Sequence, residues 1–293
     1  MTGFQLGGYV AERASDVRDP QRGAAGASRE PVGDGAATAP ESLGIRISGL
    51  SKIYERLSRR EIVRTFALNG VDLTVRPKEF VCLIGPSGCG KTTVLKIIAG
   101  LLTPTEGELF IGDKKIRGPG TDRATVFQSP GLMPWRSVLD NVVLALEFAK
   151  VPAAEREQRA RRYVDLVGLQ DFHDHYPGEL SGGMQQRVGL ARALAIEPNV
   201  LLMDEPFGAL DALTRAQMQT ELLRIWEKEK RTVLFVTHSM DEAILLSDRI
   251  LVMKNGLIVD EVVVDIVRPR ARDELVTDPT ALELKRQLVH MLA

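Results

Sequence analysis

The stretch Phe80-Val81-Cys82-Leu83-Ile84-Gly85-Pro86-Ser87-Gly88-Cys89-Gly90-Lys91-Thr92 constrains the fold more than any other. Five consecutive apolar residues ending in a glycine-rich turn read as a strand buried on both faces, as in parallel sheets. From Thr93 to Gly100 the pattern turns helical. Val94, Leu95, Ile98 and Ala99 can face a core, and Gly100 stands where a helix stops. A strand, a tight turn and a helix in that order place free backbone amides and a helix N-terminus at the end of a sheet strand. Such an arrangement is a cradle for an anion.

Gly85 to Thr92 fits G-x-x-x-x-G-K-[ST], the phosphate loop. Glycine lets the backbone curl so that successive N–H groups point inward at phosphate oxygens. The nucleotide-binding residues expected here are Gly85, Pro86, Ser87, Gly88, Cys89, Gly90, Lys91, Thr92 and Thr93, Pro86 shaping the turn without donating. Lys91 adds a point charge for the β and γ phosphates, and the Thr92 hydroxyl can ligate Mg²⁺. The pattern arises by chance roughly once in a hundred chains of this length, and its flanking strand and helix lower those odds. A glycine turn carrying an exposed lysine is the competing reading. The motif alone covers kinases, GTPases, recombinases and transport ATPases.

A second buried strand, Val200 to Met203, ends in Asp204-Glu205. Asp204 at the strand end can hold the Mg²⁺ shell, in the crevice where α/β sheets bind ligands. Glu205 can accept a proton from an attacking water. Alone, this could be a strand ending in solvated acids; beside a phosphate loop that becomes a poor explanation.

The remaining organisation is α/β. Ile45-Arg46-Ile47, Leu68 to Val75 and Thr232 to Val236 read as strands, and Gly182 to Ile196 as a helix closed by Pro198. Residues from about 135 to 175 look mostly helical. Ser239 and Glu242 have capping-box spacing, and Asn255-Gly256 between two apolar runs signals a hairpin. Residues 1–43, rich in Gly, Ala, Asp and Arg, read as a disordered extension. With 38 basic and 39 acidic side chains there is no global footprint for nucleic acid. No apolar run approaches a membrane span, and the first twenty residues lack a secretory pattern. The chain is therefore expected in the cytoplasm or on the membrane surface facing it. Cys82 and Cys89 read as free thiols.

Leu180-Ser181-Gly182-Gly183-Met184-Gln185-Gln186 resembles the signature segment of ATP-binding cassette (ABC) ATPases. In that family it completes the ATP site of a second copy, head to tail, so the resemblance implies a homodimer in which Ser181, Gly182, Gly183 and Gln185 bind nucleotide. Other segments resemble the family's in order. Gln128 looks like the glutamine-loop residue near Mg²⁺ and the attacking water. Ala209-Leu210-Asp211 looks like the loop that crosses to the partner. His238 looks like the switch histidine that senses the γ-phosphate. Tyr54 resembles the aromatic that stacks on adenine, although a core or surface tyrosine remains open because residues 55–66 form a long polar stretch.

The resemblance spans about residues 44–262. It implies a phosphate-loop core, a small antiparallel β part, a helical part at about 129–190, and a tail over 263–293. ATP and Mg²⁺ are the implied cofactors, with Glu205, His238 and Gln128 catalytic. Ser129 to Val142 resembles nitrate, sulfonate and taurine importer ATPases, as does Val267 to Glu274. The implied partners are a separate membrane permease and, indirectly, a solute-binding protein; no nucleic acid is expected. Trp135 and Leu132 either anchor the permease or pack within the helical part. A soluble ABC ATPase acting on DNA or ribosomes is the rival. The roughly fifty residues between Gln128 and Ser181 leave no room for the long coiled coil of DNA-repair members, and ribosome-acting members usually carry two cassettes.

Overall fold

The computed structural model describes residues 43–58 and 61–293. The extension read over residues 1–43 lies, apart from Leu43, outside them. The chain begins β1 (Ile45–Ser58), β2 (Glu61–Val75), β3 (Phe80–Ile84), α1 (Lys91–Ile98), β4 (Glu106–Ile111), β5 (Lys114–Lys115) and β6 (Arg123–Phe127). The helical middle follows as α2 (Val138–Phe148), α3 (Ala153–Leu166) and α4 (Gly182–Ala195). The last part is β7 (Val200–Asp204), α5 (Ala212–Glu229), β8 (Thr232–Val236), α6 (Met240–Leu246), β9 (Arg249–Lys254), β10 (Leu257–Val263), α7 (Arg272–Leu275) and α8 (Pro279–Leu292).

The strands form two sheets. One is antiparallel, in the order β2-β1-β4-β5; the other runs β10-β9-β3-β8-β7-β6. In the second, β9, β3, β8, β7 and β6 are mutually parallel and only β10 is antiparallel. Its continuous apolar runs have a simple cause. Phe80, Cys82 and Ile84 of β3 join one core with Leu201, Met203 and Phe235, while Val81 and Leu83 join a second with Leu202, Leu234 and Val236. Alternate residues point to opposite faces, and both faces are covered. The first core includes the helical middle and α8; the second lies under α1 and the antiparallel sheet.

Several elements differ from the sequence reading. The polar stretch 55–66 is strand for all its described residues, because Glu55, Arg56 and Leu57 pair with Arg64, Val63 and Ile62 in a long hairpin. A two-stranded ribbon with water on both faces shows no apolar alternation. Only half of the capping box forms. Ser239 Oγ accepts the Glu242 amide at 3.3 Å, but the Glu242 carboxylate turns inward to the amide of Gln219 and the hydroxyl of Thr237. Residues 263–293, read as a tail, carry α8. Asp278 caps it and Pro279 opens it, and Ala281, Leu284 and Leu288 are buried.

Candidate active site

The phosphate loop connects β3 to α1 and is shaped by close packing. A methyl group on Gly85 would meet the Met253 carbonyl oxygen at 2.1 Å, and one on Gly90 (φ +110) would meet that of Ala67 at 2.5 Å. Both positions therefore require glycine. No side chain caps the start of α1, so its first amides are free for an anion. Pro86, Ser87 and Gly88 are exposed at the tip, Cys89 is buried, and Thr93 is half-buried on the first turn.

Lys91 is 6% exposed. Its ammonium donates to the carbonyls of Gly85 (2.8 Å) and Pro86 (2.9 Å) and lies 3.8 Å from Cys89 Sγ. Among the described residues it forms no ion pair. A buried cation without a counterion is unfavourable, and a phosphate in the loop would supply the missing charge. The Cys89 thiol is free, as read from the sequence, and buried. Its alkylation by a maleimide is expected to be slow in the native protein and slower still with nucleotide, followed by mass spectrometry. Burial pushes the Cys82 thiol far up, so it stays protonated.

The carboxylates sit at the C-terminal edge of the parallel sheet. Thr92 Oγ1 donates to Asp204 Oδ1 at 3.2 Å, which brings together two hard oxygen donors suited to Mg²⁺. Burial raises the Asp204 pKa, against the Thr92 hydrogen bond, and the neighbouring Glu205 raises it further. A dication would relieve that crowding. Among the described residues no cluster of three or more His, Cys, Asp or Glu could hold a metal. The donor set therefore suits an ion completed by substrate phosphates and water.

Glu205 follows β7 in the left-handed region (φ 45), unusual for a residue with a side chain. Its amide donates to the Val236 carbonyl at 2.9 Å, tying the turn after β7 to the end of β8. One carboxylate oxygen lies 3.1 Å from His238 Nδ1, and the His238 side chain is 64% exposed. Gln128 is exposed after β6, and its side-chain amide would be 3.1 Å from a methyl on Gly208. It therefore stands over the segment leaving Glu205.

A second group of expected site residues gathers elsewhere. Ser181 caps α4, with its Oγ accepting the Met184 amide at 3.3 Å. Gln185 Nε2 donates to the carbonyls of Pro177 and Leu180. A methyl on Gly183 would meet Thr214 Cγ2 at 2.4 Å, so the signature turn nests against the start of α5. Asp211 caps that helix by accepting the amides of Leu213 (3.1 Å) and Thr214 (3.0 Å). Hydrogen bonds from Thr214 hold its carboxyl below the ordinary range. Among the described residues no hydrogen bond joins Ser181 to the phosphate loop. Tyr54 lies on β1 opposite Thr65, 43% exposed, with Lys52 Nζ 5.4 Å from its ring centre. Its exposure excludes the core alternative and leaves its ring accessible.

Sequence reasoning missed two supporting side chains. Gln186 is buried and donates to the Phe127 carbonyl at 3.1 Å, linking the signature helix to the strand before Gln128. Asn141 is fully buried and holds the turn before α2. Its Oδ1 accepts the Met133 amide and its Nδ2 donates to the carbonyls of Met133, Arg136 and Ser137. A polar residue inside Val138-Leu139-Asp140-Asn141-Val142-Val143 was the available signal.

Comparison with known proteins agrees with this geometry. The ABC transporter family model matches residues 68–208. An ABC transporter ATP-binding protein of Methanocaldococcus jannaschii is 49% identical over 85% of this chain and 91% of its own length. The chain belongs to the ABC transporter family. Other relatives of this ABC ATPase include a bicarbonate transport ATP-binding protein of Synechocystis sp., 44% identical over 85% of this chain and 88% of its own. A nitrate import ATP-binding protein of Synechococcus elongatus is 45% identical over 77% of this chain and 84% of its own. Among solved structures, a dimeric ATP-binding cassette in a post-hydrolysis state with ADP and phosphate superposes with a TM-score of 0.66. It is 34% identical and covers 76% of this chain and all of its own.

The Asp204 environment gives this ABC ATPase a testable asymmetry. Its folded pKa lies above the unfolded value, so the native state binds that proton more tightly. The group favours folding at low pH and opposes it once pH rises above the folded pKa. Asp204→Asn removes the penalty, so at neutral pH the nucleotide-free variant should melt higher than the parent. The same variant should lose Mg²⁺-dependent ATP hydrolysis by at least about a hundredfold, since metal stabilisation is worth several kcal/mol. Thermal melts and phosphate release read the two effects separately.

Proposed function

We propose that this chain energises a membrane importer for a small solute of the nitrate, bicarbonate or sulfonate kind, working as a dimer with Mg·ATP. The observation that carries the reading is the separation of two half-sites. Lys91, Thr92, Asp204, Glu205 and His238 converge at one sheet edge, while Ser181 and Gly182 cap a helix packed against the start of α5. A second copy, head to tail, brings its Ser181 over the phosphates that Lys91 holds.

Lys91 and the amides of α1 bind and orient the phosphates; Thr92 and Asp204 would hold Mg²⁺, which supplies charge neutralisation at the transferring phosphoryl group. Glu205 takes the proton of the attacking water. His238 fixes Glu205 through Nδ1 and leaves its other ring nitrogen for the γ-phosphate. Gln128 positions the water, Asp211 shapes the segment facing the second copy, and Tyr54 stacks on adenine.

The contact with a permease is proposed at the helical part. Among the described residues no helix is long and apolar enough to cross a membrane. Trp135 is 72% exposed and Phe148 is 78% exposed. Beside Phe148 runs a groove of about 390 Å³ lined by Met133, Leu144, Ala145, Ala193 and Ile196. That exposure supports a docking role for Trp135 over packing within the helices. Asn141 holds the turn that presents it, and large exposed aromatics are the usual anchors of interfaces.

Affinity purification of the tagged chain from its own host in mild detergent tests the reading. A multi-span membrane protein should co-elute. Trp135→Ala should leave ATP hydrolysis by the isolated subunit unchanged and weaken co-elution by about 2 kcal/mol, roughly thirtyfold. Recovery of ribosomes or nucleic acid in place of a membrane protein would overturn the importer reading and leave the ATPase intact.

A further inference from the structure

Away from the phosphate loop, α5, α6, α7 and α8 enclose a cavity of about 460 Å³. Arg215 and Arg272 both line it, and among the described residues neither forms an ion pair. Arg215 donates through Nε to the Phe207 carbonyl (3.3 Å) and through Nη2 to that of Leu210 (2.8 Å), which leaves Nη1 uncommitted. Arg272 makes a single long bond from Nη1 to Gln219 Oε1 at 3.4 Å, which leaves Nε and Nη2. The other charged groups on the wall are already engaged. Asp241 accepts from Lys285 Nζ at 2.7 Å. The two oxygens of Glu242 accept from Gln219 Nε2 and the Thr237 hydroxyl. Three cations face two carboxylates, one positive unit in excess. Most of the remaining lining is apolar, with Leu245, Leu275, Ala281 and Leu282 prominent. A cavity of this size, largely apolar with a few convergent polar groups, has the character of a small-molecule site.

We propose that this cavity binds a small organic monocarboxylate with a hydrocarbon or aryl body, and that the bound anion lowers ATP turnover. The excess of one positive unit favours a monoanion over a phosphate dianion, which the buried Glu242 would oppose. A planar guanidinium matches a carboxylate in a fork, and the apolar wall takes the body.

The coupling follows from what the wall residues hold. Arg215 grips the carbonyls of Phe207 and Leu210, inside the segment that joins Glu205 to Asp211. Gln219 leads through Glu242 to Thr237, whose hydroxyl oxygen accepts the Ser239 amide at 3.0 Å. Thr237 and Ser239 flank His238. An anion bridging Arg215 and Arg272 therefore fastens both segments that carry the Glu205–His238 pair. It limits their rearrangement during the cycle. This second half rests on the hydrolytic roles proposed above.

Titration calorimetry of the full chain without nucleotide tests the site, using hexanoate and benzoate as probes and hexylammonium as the charge control. One of the carboxylates should bind saturably with a Kd at or below about 1 mM, and hexylammonium should not. Arg272→Ala should weaken that binding at least about tenfold while leaving basal ATP turnover unchanged. In the parent, saturating carboxylate should lower kcat with little change in KM for ATP, and Arg272→Ala should be insensitive. Absence of saturable binding, or equal binding by Arg272→Ala, overturns the site. Binding that Arg272→Ala abolishes but that leaves kcat unaltered overturns the coupling. A parent protein that binds carboxylate but hydrolyses no ATP overturns the hydrolytic reading and not the site.

Discussion

Glu205→Gln should bind ATP as well as the parent and hydrolyse it roughly 10²–10⁴-fold more slowly, the range a positioned general base supplies. The substitution is conservative in every respect but proton affinity. Glutamine tolerates the left-handed backbone at this position as well as glutamate does, and its carbonyl oxygen can still accept from His238 Nδ1, which lies 3.1 Å from the carboxylate. Phosphate release under single-turnover conditions measures the chemical step, and fluorescent-nucleotide titration measures binding. With ATP and Mg²⁺ the variant should accumulate as a dimer on gel filtration, because closure proceeds while reopening by hydrolysis does not. Near-parental turnover would remove Glu205 from the role of base and leave the phosphate loop assignment standing.

The second large effect lies far from the nucleotide. Arg270→Met should destabilise the fold by about 3–5 kcal/mol in urea unfolding. Arg270 is 8% exposed and donates to five backbone carbonyls, those of Ile266, Ile244, Leu245, Ser247 and Val264. Burial, assisted by the nearby charge of Arg268, lowers its pKa to about 10, so it remains charged at neutral pH. Removing the guanidinium strands carbonyls at the end of α6 and along the strap that leads from β10 to α7. Arg270→Lys should recover only part of the loss, since an ammonium cannot reproduce the planar fork. Loss of less than about 1 kcal/mol in Arg270→Met would mean that water replaces the guanidinium at these carbonyls.

Legibility in the sequence followed physical periodicity. β3, β7 and β8 announced themselves because a strand buried on both faces is apolar at every position, and Phe80–Ile84 belongs to two cores at once. The phosphate loop was legible because glycine is forced where Met253 and Ala67 crowd the backbone. The outer hairpin was not, since Glu55, Thr65 and Arg64 face water and carry no pattern. α5 went unread although Asp211 is a good cap, because its buried face mixes Gln219 with Met218, Leu222 and Trp226. α8 could have been found from Asp278-Pro279 and the spacing of Ala281, Leu284 and Leu288. Within the site, residue types indicated the chemistry, but the inward turn of Glu242 to Gln219 and Thr237 depends on helices distant in sequence. No local signal encodes that choice.

The ammonium of Lys91, seated on the carbonyls of its own loop, has a consequence for how tightly nucleotide can bind. A loop of this kind is not a slack tether waiting to be ordered. It already holds its lysine through two internal bonds, so a phosphate would bind by exchange, releasing one set of oxygens as another arrives. On the role proposed for Lys91, the affinity for nucleotide is the difference between an ammonium held by carbonyl oxygens alone and one that has gained a countercharge. Selectivity for the triphosphate over the diphosphate rests on the oxygens that only the longer chain can offer in that exchange.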